Sequence, residues 1–234
     1  MIKIFSFKIC PFVQRVTALL EAKNVSYEVE YISLSDKPQW FLDISPNGQV
    51  PVLITENGKS LFESEAIVEY IEEAFPALQP DISLEDKAIN RAWSYLAAKN
   101  YLVQCSAQRS PDQNVLKERS EKLGKAFDKI EQQLGDTPFF EGNSISMVDI
   151  TWLPLLHRAD VLERRSCYDF IGNRPKLKNW QKQLLATGLA EKSVAADFEQ
   201  AFSAFYLSEQ TFLGRGGKVE GSCFSEVCAT DACC

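Results

Sequence analysis

The sequence predicts a small α/β domain over residues 1–76, a linker at 77–83 and an all-α domain over 84–213. Short runs of strict alternation interleave with helical periods through the first 75 residues, and after FPALQPDIS (75–83) every periodic stretch is helical. The chain has 234 residues, 45% of them hydrophobic, enough for one large core or two small ones.

Residues 2–7, IKIFSF, alternate and read as a strand. The helical period of PFVQRVTALLEAK (11–23) opens on Pro11, whose missing N–H would lack a helical partner at that position in any case. YEVEYI (27–32) is a second strand, and a short helix precedes a third strand, VPVLI (50–54). The Asn57-Gly58 pair turns that strand into a fourth around KSLFE (59–63), and a helix runs from about Ser64 to Ala74. This order gives a mixed sheet with helices packed on it, the thioredoxin-like arrangement.

Beyond the linker, residues 84–108, 113–134, 147–161, 175–187 and 190–207 read as helices. Within SISMVD (144–149), Ser146 and Asp149 form a capping box, a structural signature. From Gly214 onward, residues 214–234 lack an apolar period and read as a flexible, cysteine-rich tail.

A formal net charge of −7 argues against nucleic acid or anionic lipid as a partner, since both need a positive face. The first residues, MIKIFSFKICPF, lack the continuous apolar stretch of a signal peptide, and no apolar run reaches the roughly 18 residues of a membrane span. The expectation is a soluble cytoplasmic protein without stable membrane insertion. In a reducing compartment, seven cysteines do not read as a disulfide framework. Cys223, Cys228, Cys233 and Cys234 lack the CxxC spacing of common zinc sites, so no metal is expected and they read as an oxidation-prone tail.

Cys10 in CPFVQR stands just before the proline-initiated helix, where the positive end of the dipole favours thiolate over thiol. That placement predicts a depressed thiol pKa, against the plainer reading of a small buried residue. Val13 occupies the position of the second cysteine in a CxxC motif, so resolution of a mixed disulfide would need an external thiol. Arg15 reads either as an electrostatic helper of the thiolate or as a solvated surface residue. Pro51 is the second signal, since proline in a strand is confined to an edge or first position, and sequence alone leaves its isomer open. Glu63-Ser64, where the fourth strand meets a helix, is the third. Ser64 serves either as an N-cap or as the seat of a ligand carboxylate, and Glu63 offers a counter-charge for an ammonium. His157 reads as a packing or hydrogen-bonding residue rather than a base. Trp152, Trp180, Phe205 and Tyr206 belong either to the helical core or to the edge of a pocket.

Together CPFVQR, DKPQWF (36–41), NGQVPVL (47–53), ES (63–64), FFEGNSISMVD (139–149) and PKLKNW (175–180) resemble the cytosolic glutathione transferases, most closely the cysteine-type omega class. The resemblance implies a thioredoxin-like domain that binds glutathione as cosubstrate, a helical domain with the acceptor pocket, and a homodimer. It implies Cys10 as the catalytic thiol, with Phe12, Leu34, Lys37, Val50, Pro51, Glu63 and Ser64 around glutathione. Lys37 would face the glycyl carboxylate, Val50 before a cis Pro51 would pair with the cysteinyl backbone, and Glu63 with Ser64 would take the γ-glutamyl end. The implied chemistry is thioltransferase and dehydroascorbate reductase activity by a monothiol mechanism, on an electrophilic, disulfide or oxidised acceptor. Two alternatives stay open at this point. One is a binding or membrane-associating module like the chloride intracellular channel proteins, which share a similar CPFxQR turn; the other is a conventional conjugating transferase.

Overall fold

The computed structural model describes residues 1–33 and 35–219; Leu34 and the expected tail beyond residue 219, with its four cysteines, lie outside them. A four-stranded sheet has the order β2-β1-β3-β4. Strand β1 (Ile2–Ser6) runs parallel to β2 (Tyr27–Tyr31) and antiparallel to β3 (Val52–Ile54), which forms a hairpin with β4 (Ser60–Phe62). A parallel pair needs a crossover, and helix α1 (Pro11–Ala22) supplies it. At the hairpin turn Gly58 has φ +76°, a left-handed conformation that glycine adopts without strain.

Alternation along β1 sorts its side chains to two faces. Ile2 and Ile4 join the main core with Leu19 of α1 and Ile67 and Ile71 of α3 (Ser64–Ala74). Phe5 instead meets Val52 and Phe41, the latter on α2 (Gln39–Ile44). The third strand begins at Val52 rather than at residue 50. The Val50-Pro51 peptide is cis, and proline has no N–H to give a ladder.

The remaining helices are α4 (Leu84–Gln108), α5 (Gln113–Gln133), α6 (Met147–Ser166), α7 (Pro175–Ala186), α8 (Leu189–Lys192) and α9 (Phe198–Tyr206). Helix α6 packs against α1 as well as α4, so one hydrophobic core spans both parts of the chain. The capping box forms at the start of α6: Ser146 Oγ accepts from Asp149 N, and the Asp149 carboxylate accepts from Ser146 N at 2.8 Å. Among the described residues no helix is long and apolar enough to cross a membrane.

Two expectations are corrected in the C-terminal part. The continuous helix expected over residues 190–207 is broken between α8 and α9. The carbonyl of Ser193 accepts from Thr17 Oγ1 of α1 at 2.7 Å, and Ser193 Oγ accepts from Gln14 Nε2 at 3.3 Å. Tertiary contacts with α1 thus satisfy the Ser193 carbonyl where the helical ladder ends. The start of the expected tail is also not loose. Arg215 Nη2 donates to Pro111 O, and the backbone N–H groups of Gly216 and Gly217 donate to Leu213 O and Phe212 O, each at 3.0 Å.

This turn depends on Gly214, where an added Cβ would lie 2.1 Å from the Ser208 carbonyl oxygen. Gly214→Ala should therefore cost about 1–3 kcal/mol in urea unfolding. Gly135→Ala, where a Cβ meets nothing within 4 Å, should leave the midpoint unchanged or slightly raised.

Candidate active site

Cys10 occupies the N-cap position of α1 with extended backbone angles, φ −78° and ψ 120°, followed by Pro11 at the first helical position. Its side chain is half-buried, and the backbone N–H groups of Phe12 and Val13 point at the sulfur. The dipole argument alone predicts a depressed thiol pKa, but the structure reverses the sign. Burial pushes the Cys10 thiol up, and the two N–H groups and the Arg158 charge oppose that without cancelling it.

Arg158 carried no sequence signal beyond being a cation in the apolar run LLHRADVL, and it is the group that reasoning from the sequence missed. Its guanidinium is 0% exposed. Nη2 donates to the carbonyl of Ile9, the residue before Cys10, at 3.1 Å. Nη1 donates to Gln14 Oε1 and to Pro154 O at 3.2 Å, and the guanidinium lies 5.3 Å from the Phe198 ring centroid. The group therefore holds the Cys10 turn to α6 through a neutral carbonyl and an amide.

His157 behaves as expected of a packing residue. It is buried, stacks on Phe198 with centroids 4.9 Å apart, and meets Gln14 Nε2 through Nδ1 at 2.9 Å. Burial, reinforced by Arg158, holds its pKa down to about 3, so the ring is neutral at physiological pH. Trp152 and Trp180 are core residues with ring centroids 5.9 Å apart.

Arg15 neither reaches the thiolate nor faces solvent. It is 1% exposed and turns toward α3, where Nη2 donates to Ser64 Oγ at 2.7 Å and stands 3.9 Å from Glu65. Ser64 is the first residue of α3, and the N-cap is Glu63, with a positive φ of 65°. A non-glycine residue there is strained, and the Glu63 carboxylate meets Asn47, whose Nδ2 donates to Glu63 Oε1 at 2.6 Å.

These residues converge on a cavity of about 150 Å³ lined by Phe12, Val50, Pro51, Glu63 and Ser64, with Asn47, Gln49 and Glu65 added to the sequence-derived set. Lys37 is half-buried against the turn at Gly48, its Nζ 3.8 Å from where a Cβ on that glycine would stand, outside this lining. Leu34 lies outside the described residues. Phe12 also borders a second, wider cavity of about 550 Å³, where Cys10 lies with Cys105, Arg109, Arg119, Phe205 and Tyr206. The Tyr206 hydroxyl hydrogen-bonds Cys105, and burial keeps that hydroxyl protonated. Among the described residues no cluster of three or more His, Cys, Asp or Glu side chains could hold a metal ion.

Residues 4–80 match the family described as "Glutathione S-transferase, N-terminal domain", and residues 113–181 match "Glutathione S-transferase, C-terminal domain". Glutathione S-transferase omega-1 of Rattus norvegicus is 36% identical over 185 residues, 76% of this chain and 74% of its own. Glutathione S-transferase DHAR2 of Arabidopsis thaliana is 34% identical over 154 residues, 65% of this chain and 68% of its own. Among solved structures, rice GST1 in complex with glutathione superposes with a TM-score of 0.76 at 21% identity, covering 92% of this chain and 95% of that one.

Proposed function

The chain belongs to the omega class of the glutathione S-transferases, and from that premise we propose that it is a glutathione-dependent thiol transferase and reductase, acting on mixed disulfides and dehydroascorbate. The observation that carries the reading is the half-buried Cys10 thiol at the start of α1, beside a cavity built from Glu63, Ser64 and the Val50-Pro51 turn. A carboxylate, a hydroxyl and the first turn of a helix in one cavity suit the ammonium and carboxylate of a γ-glutamyl group. Arg15 behind Ser64 adds positive charge on the carboxylate side. Lys37 supplies a cation for the glycyl end, and the Val50 backbone, which precedes the β3 ladder, takes the cysteinyl part. The complete γ-glutamyl cavity favours this reading over a channel-like binding module.

The chemistry balances with one enzyme thiol. The Cys10 thiolate attacks the glutathionyl sulfur of a mixed disulfide RS–SG; the RS–SG bond breaks, Cys10–SG forms, and RS⁻ leaves and takes a proton from water. A second glutathione thiolate then attacks the glutathionyl sulfur, releasing glutathione disulfide and regenerating Cys10. The wider cavity, formed by both domains, receives the R group. The protein works as a homodimer in the cytoplasm, each protomer carrying one such site.

Treatment with glutathione disulfide should add a glutathionyl group to Cys10, read by intact mass and peptide mapping; a map that leaves Cys10 unmodified while the chain stays folded would count against the mechanism. Ser64→Ala removes a hydroxyl from the γ-glutamyl site and strands Arg15 Nη2. It should raise KM for glutathione about tenfold or more while changing kcat less.

A further inference from the structure

Resting on the thiol-transfer reading, we propose that the acceptor preferred by the wider cavity is an anion: a mixed disulfide whose leaving thiol carries a carboxylate beside an apolar body. The cavity of about 550 Å³ has a lining set that includes Cys10, Phe12, Leu102, Arg109, Arg119 and Phe205. That set contains two guanidinium groups and no Asp or Glu, in a chain whose net charge is −7. The smaller cavity next to it has the opposite character, with Glu63 and Glu65 in its wall.

The direct contacts of both arginines are with neutral groups, and Glu118, the acidic neighbour that feels the Arg119 charge, is itself paired with Lys122 at 2.8 Å. Arg109 lies over the exposed Phe205 ring, 4.7 Å from its centroid, and Arg119 Nη1 donates to the Ser106 carbonyl at 2.7 Å. Among the described residues neither forms an ion pair with a carboxylate. A ring face and a backbone carbonyl orient each guanidinium at little entropic cost and leave further N–H donors for a carboxylate. Arg109 and Arg119 are therefore specificity-determining groups that select the sign of charge on R, while Phe12, Leu102 and Phe205 offer its apolar part a surface. Placed there, the carboxylate holds the leaving RS⁻ on the side away from the glutathionyl cavity.

The test uses three near-isosteric substrates: the glutathione mixed disulfides of 3-mercaptopropionate, 2-mercaptoethanol and cysteamine, with R respectively anionic, neutral and cationic. Values of kcat/KM are measured on the full chain at low and high salt. The expected order is anionic over neutral over cationic, with a ratio of roughly tenfold between first and last at low ionic strength. The ratio should shrink toward one in molar salt, where the Debye length is about 3 Å. Combined Arg109→Gln and Arg119→Gln should collapse the same ratio, Arg109→Glu alone should do likewise because Arg119 balances the new carboxylate, and Glu at both positions should invert it. Equal rates for the three substrates, or a ratio unmoved by these variants, would overturn the charge preference while leaving thiol transfer standing. Absence of turnover with all three would overturn the thiol-transfer reading itself, and the preference with it.

Discussion

Replacing Cys10 with serine is expected to bring glutathione-dependent disulfide reduction down to the uncatalysed background, with glutathione affinity changed no more than a few-fold. The asymmetry follows from the division of labour in the site. The sulfur alone can form the mixed disulfide, whereas the smaller cavity is walled by Phe12, Asn47, Gln49, Val50, Pro51, Glu63, Ser64 and Glu65 without it. Calorimetric titration with glutathione and a coupled reductase assay check the two halves separately. Retained turnover in Cys10→Ser would remove the thiol from the mechanism. The wild-type thiol should also show its environment in alkylation by iodoacetamide. Because burial pushes the Cys10 pKa up in the free protein, the thiol form dominates at neutral pH, and the alkylation rate should climb to a midpoint above the ordinary thiol range. A plateau below neutral pH would contradict that direction. The high pKa does not disable the residue. Each unit of increase lowers the thiolate fraction about tenfold at neutral pH but raises the nucleophilicity of what remains by about threefold, so the net loss is modest.

The elements that set this environment differ in how far local sequence reveals them. Strand alternation and helix periods are local properties, and the helices expected over 84–108 and 64–74 occur as α4 and α3 with those bounds. Cys10 before Pro11, Val50-Pro51 and Glu63-Ser64 are also local signatures, and the structure brings them to the two adjoining cavities that share Phe12. What the sequence hides is long-range. Arg15 pairs with Ser64, 49 residues away, and Arg158 reaches Ile9 across 149 residues, so neither partner leaves a trace in a helical period. The sign of the Cys10 shift was lost for the same reason. The helix start argues for thiolate, but the burial that outweighs it comes from the packing of distant chain around the thiol. At the break after Lys192 the Ser193 carbonyl is taken by Thr17 of α1, 176 residues away, and no Gly or Pro in residues 193–197 announces it.

Asp149→Ala should be among the most damaging substitutions to stability in the helical part, at about 3–5 kcal/mol, although the residue lies in none of the cavities described. The carboxylate is 0% exposed and accepts from four donors: Phe140 N at 3.0 Å, Trp180 Nε1 at 2.7 Å, Ser146 N at 2.8 Å and Ser146 Oγ at 2.6 Å. It therefore ties the start of α6 to the 139–142 turn and to α7, and its loss strands three buried N–H groups at once. The same α6 carries Arg158, which fixes the carbonyl before Cys10, so weakening its N-terminus should also slow thiol transfer through displacement of that turn. Asp149→Asn separates shape from charge. It keeps the volume, but its amide nitrogen must face donors whichever way the group is turned, either the Ser146 N–H or the Phe140 and Trp180 N–H groups, so it should recover only part of the loss. Thermal unfolding of the alanine variant should fall by roughly 10 °C for a chain of this size, with a urea midpoint shifted at constant slope. An alanine variant as stable as wild type would mean that the four hydrogen bonds merely offset the cost of burying the carboxylate. That cost is real, since burial raises the Asp149 pKa while these same donors pull it back.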